Sequence, residues 1–251
     1  MSGSAILLQC LNGLASASAL FLVAAGLSLI FGVTRIVNFA HGSLFMLGMY
    51  VALALTPHLG FWWSLPLAAL AVAAFGAALE ALVLRRLYAA PELMQLLATF
   101  ALVLLIRDFA LWAWGPQDML GPRAPGLDGA VTIAGERFPE YDLFLIACGP
   151  LVLGALWYLL RSTRWGVLVR AVTQDRDMAA ALGVSSRRLF AGVFALGALL
   201  AGLGGAVQIP REPATLSIDL QIITDAFVVV VVGGLGSIPG AFLAALLIGE
   251  I

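Results

Sequence analysis

Seven stretches of this sequence run for roughly 20 residues with almost no charge, near 6–32, 40–57, 61–84, 93–114, 141–160, 189–209 and 220–250. An α-helix rises about 1.5 Å per residue, so a run of this length is what crosses a hydrocarbon core about 30 Å thick. Inside that core each segment must close its own backbone hydrogen bonds, because no water is there to do so. Composition agrees: 62% of the 251 residues are hydrophobic and 11% charged, with a mean hydropathy of +1.05. A soluble fold of that composition would expose large apolar patches to water. The expected fold is all-α, a polytopic transmembrane helical bundle forming a single domain over 1–251.

All thirteen basic residues are arginine, and their placement implies an orientation, since positively charged loops stay cytoplasmic. Arg161, Arg164, Arg170, Arg176, Arg187 and Arg188 crowd the connection after the fifth run. With that connection inside, alternate threading brings Arg35, Arg85 and Arg86 inside too, nine in all, against Arg123, Arg137 and Arg211 outside. Arg107 is left within a span. The N-terminus and the Gly- and Pro-rich segment 115–140 are then expected on the periplasmic side of an inner membrane. No basic n-region or small-residue cleavage site precedes the first run, which is expected to remain as a membrane helix. A net charge of −1 offers no basic face for nucleic acid. Cys10 and Cys148 stand isolated in apolar stretches and imply neither a disulfide framework nor a metal site.

Small residues recur at helical spacing. Gly197, Ala201 and Gly205 lie four apart, flanked by Ala198, Gly202 and Ala206, a strip on which another helix can pack closely. Three further segments are neither simple spans nor simple loops. In Gly32–Gly42, GVTRIVNFAHG, an arginine, an asparagine and a histidine interrupt apolar sequence; a short cytoplasmic hairpin and an irregular segment lining a polar path are both open. In Gly233–Gly240, GGLGSIPG, four glycines and a proline cannot continue a regular helix, so the seventh span is expected to break there, the alternative being a plain tight turn between two short helices that re-enter on one side. Broken helices in transporters turn free backbone groups toward a substrate path. The candidate path residues are therefore Asn38, His41 and Ser43 at the first break and Gly233, Gly234, Gly236 and Ser237 at the second.

The third segment lies in the inside loop, 162–188. Asp175 as a cap, the helix-forming run Met178–Leu182 and Gly183 as a stop predict a short cytoplasmic helix. Joining two spans needs only a few residues, so this long loop suggests a soluble partner. No catalytic constellation is legible: His41 and His58 fall at opposite ends of the second span, and no metal cluster is expected. A Walker-type GxxxxGK[ST] is impossible without lysine, so no cofactor is expected on this chain and any ATP would be bound by another.

At these three segments the sequence resembles the LivH-like permease subunits of branched-chain amino-acid ABC transporters. Val37-Asn38-Phe39-Ala40-His41-Gly42 is similar to the family's INFAHG. Arg170-Ala171 with Asp175, Ala179 and Gly183-Val184 is similar to its loop pattern, and Gly233 to Ala241, GGLGSIPGA, to its GGxGSIPGA segment. The resemblance implies a second, LivM-like permease subunit, two ATP-binding subunits and a periplasmic substrate-binding protein as partners in a lipid bilayer. It also implies that Asp175, Asp177, Ala179, Ala180, Leu182 and Gly183 form the coupling helix that seats in an ATPase subunit. Family members continue for another helix past the GSIPG segment, so a C-terminal helix is expected to be missing here. Permeases for urea or short amides look similar. A stand-alone secondary transporter is the competing class, with Glu80, Arg107–Asp108, Asp225 and Glu250 as its coupling-ion candidates.

Overall fold

The structure, a computed structural model, describes residues 3–133 and 135–249, which leaves Glu250 outside the described residues. Among the described residues, six helical spans are long and apolar enough to cross a membrane. They are α1 (Gly3–Thr34), α2 (Ala40–Leu59), α3 (Phe61–Leu79), α5 (Glu92–Trp114), α6 (Glu140–Ser162) and α9 (Ser186–Gln208). A π-helical turn, Glu80–Leu84, and the short α4 (Arg85–Leu87) prolong α3. Between α6 and α9 lie α7 (Arg164–Gln174) and α8 (Arg176–Ala181); α10 (Ile218–Gly233) and α11 (Ile238–Ile248) close the described chain. Gly60, at φ +78°, is the sole residue between α2 and α3, and it can hold that left-handed backbone without a Cβ clash.

The strip of small residues makes α9 the hub of the bundle. A Cβ on Gly197 would lie 2.5 Å from Ile30 of α1, one on Gly202 2.7 Å from Val72 of α3, and one on Gly205 2.1 Å from the Phe45 carbonyl of α2. Two helices, α1 and α2, thus approach α9 backbone to backbone and α3 packs the Val72 side chain directly on Gly202, which only small residues permit. The periphery is different: 78% of the most apolar stretch of α1 is buried, against 28% for α5 and 22% for α6. Trp112 of α5 and Leu151 of α6 are 82% and 70% exposed, side chains that suit lipid and not water.

The first break is not an exposed hairpin. After Thr34 the chain turns at Arg35 (φ +57°), and residues 35–38 run without regular structure back into the bundle, with Ile36 and Asn38 buried. Irregular backbone at this depth is tolerated because protein surrounds it. The second break falls in Gly234–Ser237, where α10 and α11 meet at 118°. A turn of more than a right angle means that α11 does not continue the course of α10. The segment 115–139 adds something the all-α expectation did not contain, a short antiparallel hairpin of β1 (Ala130–Ile133) and β2 (Glu136–Pro139). The density of glycine and proline there conceals a two-stranded ladder, which needs only four residues a side. A backbone bridge from Met119 to Ala214 ties this segment to the α9–α10 connection.

Candidate functional site

The residues of the first break occupy three different environments. Asn38 is buried against a small void of about 10 Å³ bordered by Ile30, Leu84 and Phe194, and neither its Oδ1 nor its Nδ2 has a partner among the described residues. His41 is fully buried in the first turn of α2, where its Nε2 donates to the Val23 carbonyl of α1 at 3.0 Å and its Nδ1 is left without a partner. Ser43, also fully buried, donates to Asp219 Oδ2 at 3.2 Å. Buried polar atoms without partners are few in proteins, and each calls for a reason.

Ser43 leads to a charge pair. Arg107 of α5 donates through Nη2 to Asp219 Oδ1 at 2.6 Å, so the arginine inside a span is neutralised by an aspartate in the first turn of α10 and not by the adjacent Asp108. Asp219 is 1% exposed. Three elements, α2, α5 and α10, converge on this one carboxylate. Sequence reasoning missed Asp219, which reads locally as a helix-start acid; the signal for it was the unpaired Arg107, since an intramembrane charge demands a partner. Glu80 belongs to a similar arrangement in the π-helical turn: fully buried, it accepts from Arg85 Nη2 at 2.9 Å and from the Tyr88 hydroxyl at 3.0 Å.

The two breaks touch at one point, where a Cβ on Gly32 would lie 3.1 Å from Gly236 Cα. The polar residues of the first break do not join the glycines of the second. Gly234, Gly236 and Ser237 are exposed at the turn and Gly233 is half-buried. Ser237 caps α11, its Oγ accepting from the Gly240 amide at 3.1 Å. Gly233 and Gly240 pack backbone to backbone, since a Cβ on Gly240 would overlap the Gly233 carbonyl at 1.8 Å.

In the 162–188 loop, Asp175 caps α8 by accepting from the Met178 amide at 2.9 Å, and Gly183 ends the turn at φ +85°. Met178 and Leu182 are 59% and 78% exposed, and Asp177 and Ala180 are exposed beside them. Ala179 differs: it is buried and turned toward the bundle, so it supports the helix and offers nothing to a partner. Met178 joins the exposed set instead. The amphipathic α7, with Val169 and Val172 buried, was unforeseen, because a long inside loop reads as one connection.

The opposite end holds a cavity of about 620 Å³ bordered by Arg123, Arg137 and Arg211, the three arginines that the charge rule assigns to the outside, together with Asp128 and Asp142. Arg211 is engaged by Asp142 at 3.2 Å and lies within 3.5 Å of the Ser16 hydroxyl. Arg123 and Arg137 are exposed and make no ion pair among the described residues.

Residues 9–251 match the family model described as branched-chain amino acid transport system / permease component. The chain is 28% identical to the high-affinity branched-chain amino acid transport system permease protein BraD of Pseudomonas aeruginosa, over 96% of this chain and 83% of that protein. It is 27% identical to LivH of Escherichia coli over the same shares, and 30% identical to a probable LivH of Methanocaldococcus jannaschii over 92% of this chain and 75% of the relative. No solved structure matches it. With a match running across all its helical spans, the chain belongs to the permease-component family of branched-chain amino acid transport systems.

Proposed function

We propose that this chain is the membrane-spanning permease subunit of an ABC importer that moves branched-chain amino acids across the inner membrane, driven by ATPase subunits on other chains. The observation that carries it is the family match over residues 9–251. The arginine-rich 162–188 loop faces the cytoplasm in this reading, and α8 seats in an ATPase subunit through Met178, Ala180 and Leu182. The exposed apolar side chains of so short a polar helix support that assignment. The opposite cavity, with two guanidiniums free of acid partners, suits carboxylates of a periplasmic substrate-binding protein. A second, LivM-like permease completes the membrane unit.

Within the bundle, Asn38 and, separately, the contact of Gly32 with Gly236 are the two parts of the path contributed by this chain. Asn38 offers an amide with both ends unspent, and the glycine contact offers a seam without side chains that can open. The test is uptake of radiolabelled leucine by a strain deleted for its own LivH-type permease and carrying this gene with its partner subunits. ATP-dependent accumulation that is lost without the ATPases is expected. Accumulation that persists without them would assign the chain to secondary transport.

A further inference from the structure

We propose that the groove between α6, α7 and the second break is a binding site for an anionic phospholipid, whose phosphodiester sits on Arg161 and Arg170 and whose acyl chain follows α6. The groove has a volume of about 370 Å³ and is bordered by Leu153, Trp157, Leu160, Arg161, Arg170 and Pro239. Its two cations have no acid. Among the described residues neither Arg161 nor Arg170 forms an ion pair. The Arg161 guanidinium lies 5.2 Å from the centre of the Trp157 ring, and Arg170 donates one N–H to the Leu160 carbonyl. Both contacts hold the guanidiniums in place without neutralising them, so further donors remain for a phosphate.

Depth points the same way. The 23 residues of α6 span about 34 Å, which places Arg161, one residue from its end, at headgroup level. Trp157 and Tyr158, 53% and 63% exposed, are the aromatic belt expected there, and the exposed Leu151 extends the apolar wall into the hydrocarbon. A free phosphate would satisfy the arginines but leave that wall bare. A neutral lipid would cover the wall and leave two charges unpaired. An anionic phospholipid meets both, in the way that basic pockets between membrane helices hold such headgroups. Because Pro239 lies in the first turn of α11, next to the second break, and Arg170 lies on α7, the helix that precedes α8, the bound lipid braces both against α6.

The test needs no transport, so it stands apart from the importer reading. The purified full-length chain is placed in nanodiscs containing a photoactivatable phosphatidylglycerol or its phosphatidylcholine counterpart, and the labelled peptides are mapped. Phosphatidylglycerol is expected to label the Leu153–Arg170 region at least fivefold more than phosphatidylcholine, the factor that the roughly 1 kcal/mol from one arginine alone supplies. R161Q/R170Q is expected to bring that ratio near one and R161K/R170K to preserve it. Equal labelling by the two lipids in the wild-type chain would overturn the site and leave ordinary annular lipid. Labelling that survives R161Q/R170Q, or that falls on other helices, would overturn it as well. Should R161Q/R170Q fail to fold, the wild-type comparison and the lysine variant still decide.

Discussion

Asp219 draws a side chain from each of two other helices into the buried interior. Its carboxylate takes Arg107 on one oxygen and Ser43 on the other while being almost wholly excluded from solvent. Removing one partner of a buried pair leaves an uncompensated charge, which costs about 3–5 kcal/mol, whereas removing both can be nearly neutral. Arg107 is partly exposed and Asp219 is not, so the stranded aspartate is the worse case. Arg107→Ala is therefore expected to lower thermal stability in detergent more than Asp219→Ala, and the double variant to lose much less than the sum of the two losses. Additive losses would show that the pair is not coupled. The contact links positions 112 apart, and nothing near either residue announces the other. What was legible was only the need: an arginine within an apolar run must find a counter-charge.

Among the elements, α8 is the one whose ends could be read from sequence and whose faces could not. The cap at Asp175 and the stop at Gly183 are local devices that work through three or four neighbouring residues, and the helix lies between them. Which side chains point outward depends on how the helix lies against the bundle. Ala179 is turned in, and Leu182 and Met178 out. Leu182→Glu is expected to reduce ATP-driven uptake at least tenfold with unchanged thermal unfolding, because an exposed residue contributes little to the fold. Ala179→Leu is expected to destabilise by about 1–3 kcal/mol through overpacking. If Leu182→Glu transports normally in proteoliposomes, α8 is not the coupling helix. The second break shows the same division. Four glycines and a proline dictate that a helix must stop, yet the 118° turn between α10 and α11 is set by Gly233 and Gly240 packing backbone to backbone.

At the scale of the whole molecule the arginines are sorted between two ends, with Arg161, Arg164 and Arg170 near α7 and Arg123, Arg137 and Arg211 around the opposite cavity. With Cys10 and Cys148 replaced, a cysteine at Asp128 is expected to react with a membrane-impermeant maleimide in intact spheroplasts. One at Ser185 is expected to react only after permeabilisation, and the reverse pattern would invert the orientation. Both positions are exposed, so accessibility is decided by the membrane alone. The order of residues along the chain is enough to make it a bundle of membrane helices, to show roughly where each runs, which loops carry positive charge and where regular helix must stop. Those are properties of contiguous residues: run length, local charge, capping and glycine content. It took the packed fold to show that α9 is the hub while α5 and α6 face outward, that Arg107 belongs to Asp219, and that Gly32 meets Gly236. Apolar helices look alike along the chain in one dimension. Their places in the bundle follow from which small residues let backbones touch and which buried charges must meet, and both are settled between residues far apart in sequence.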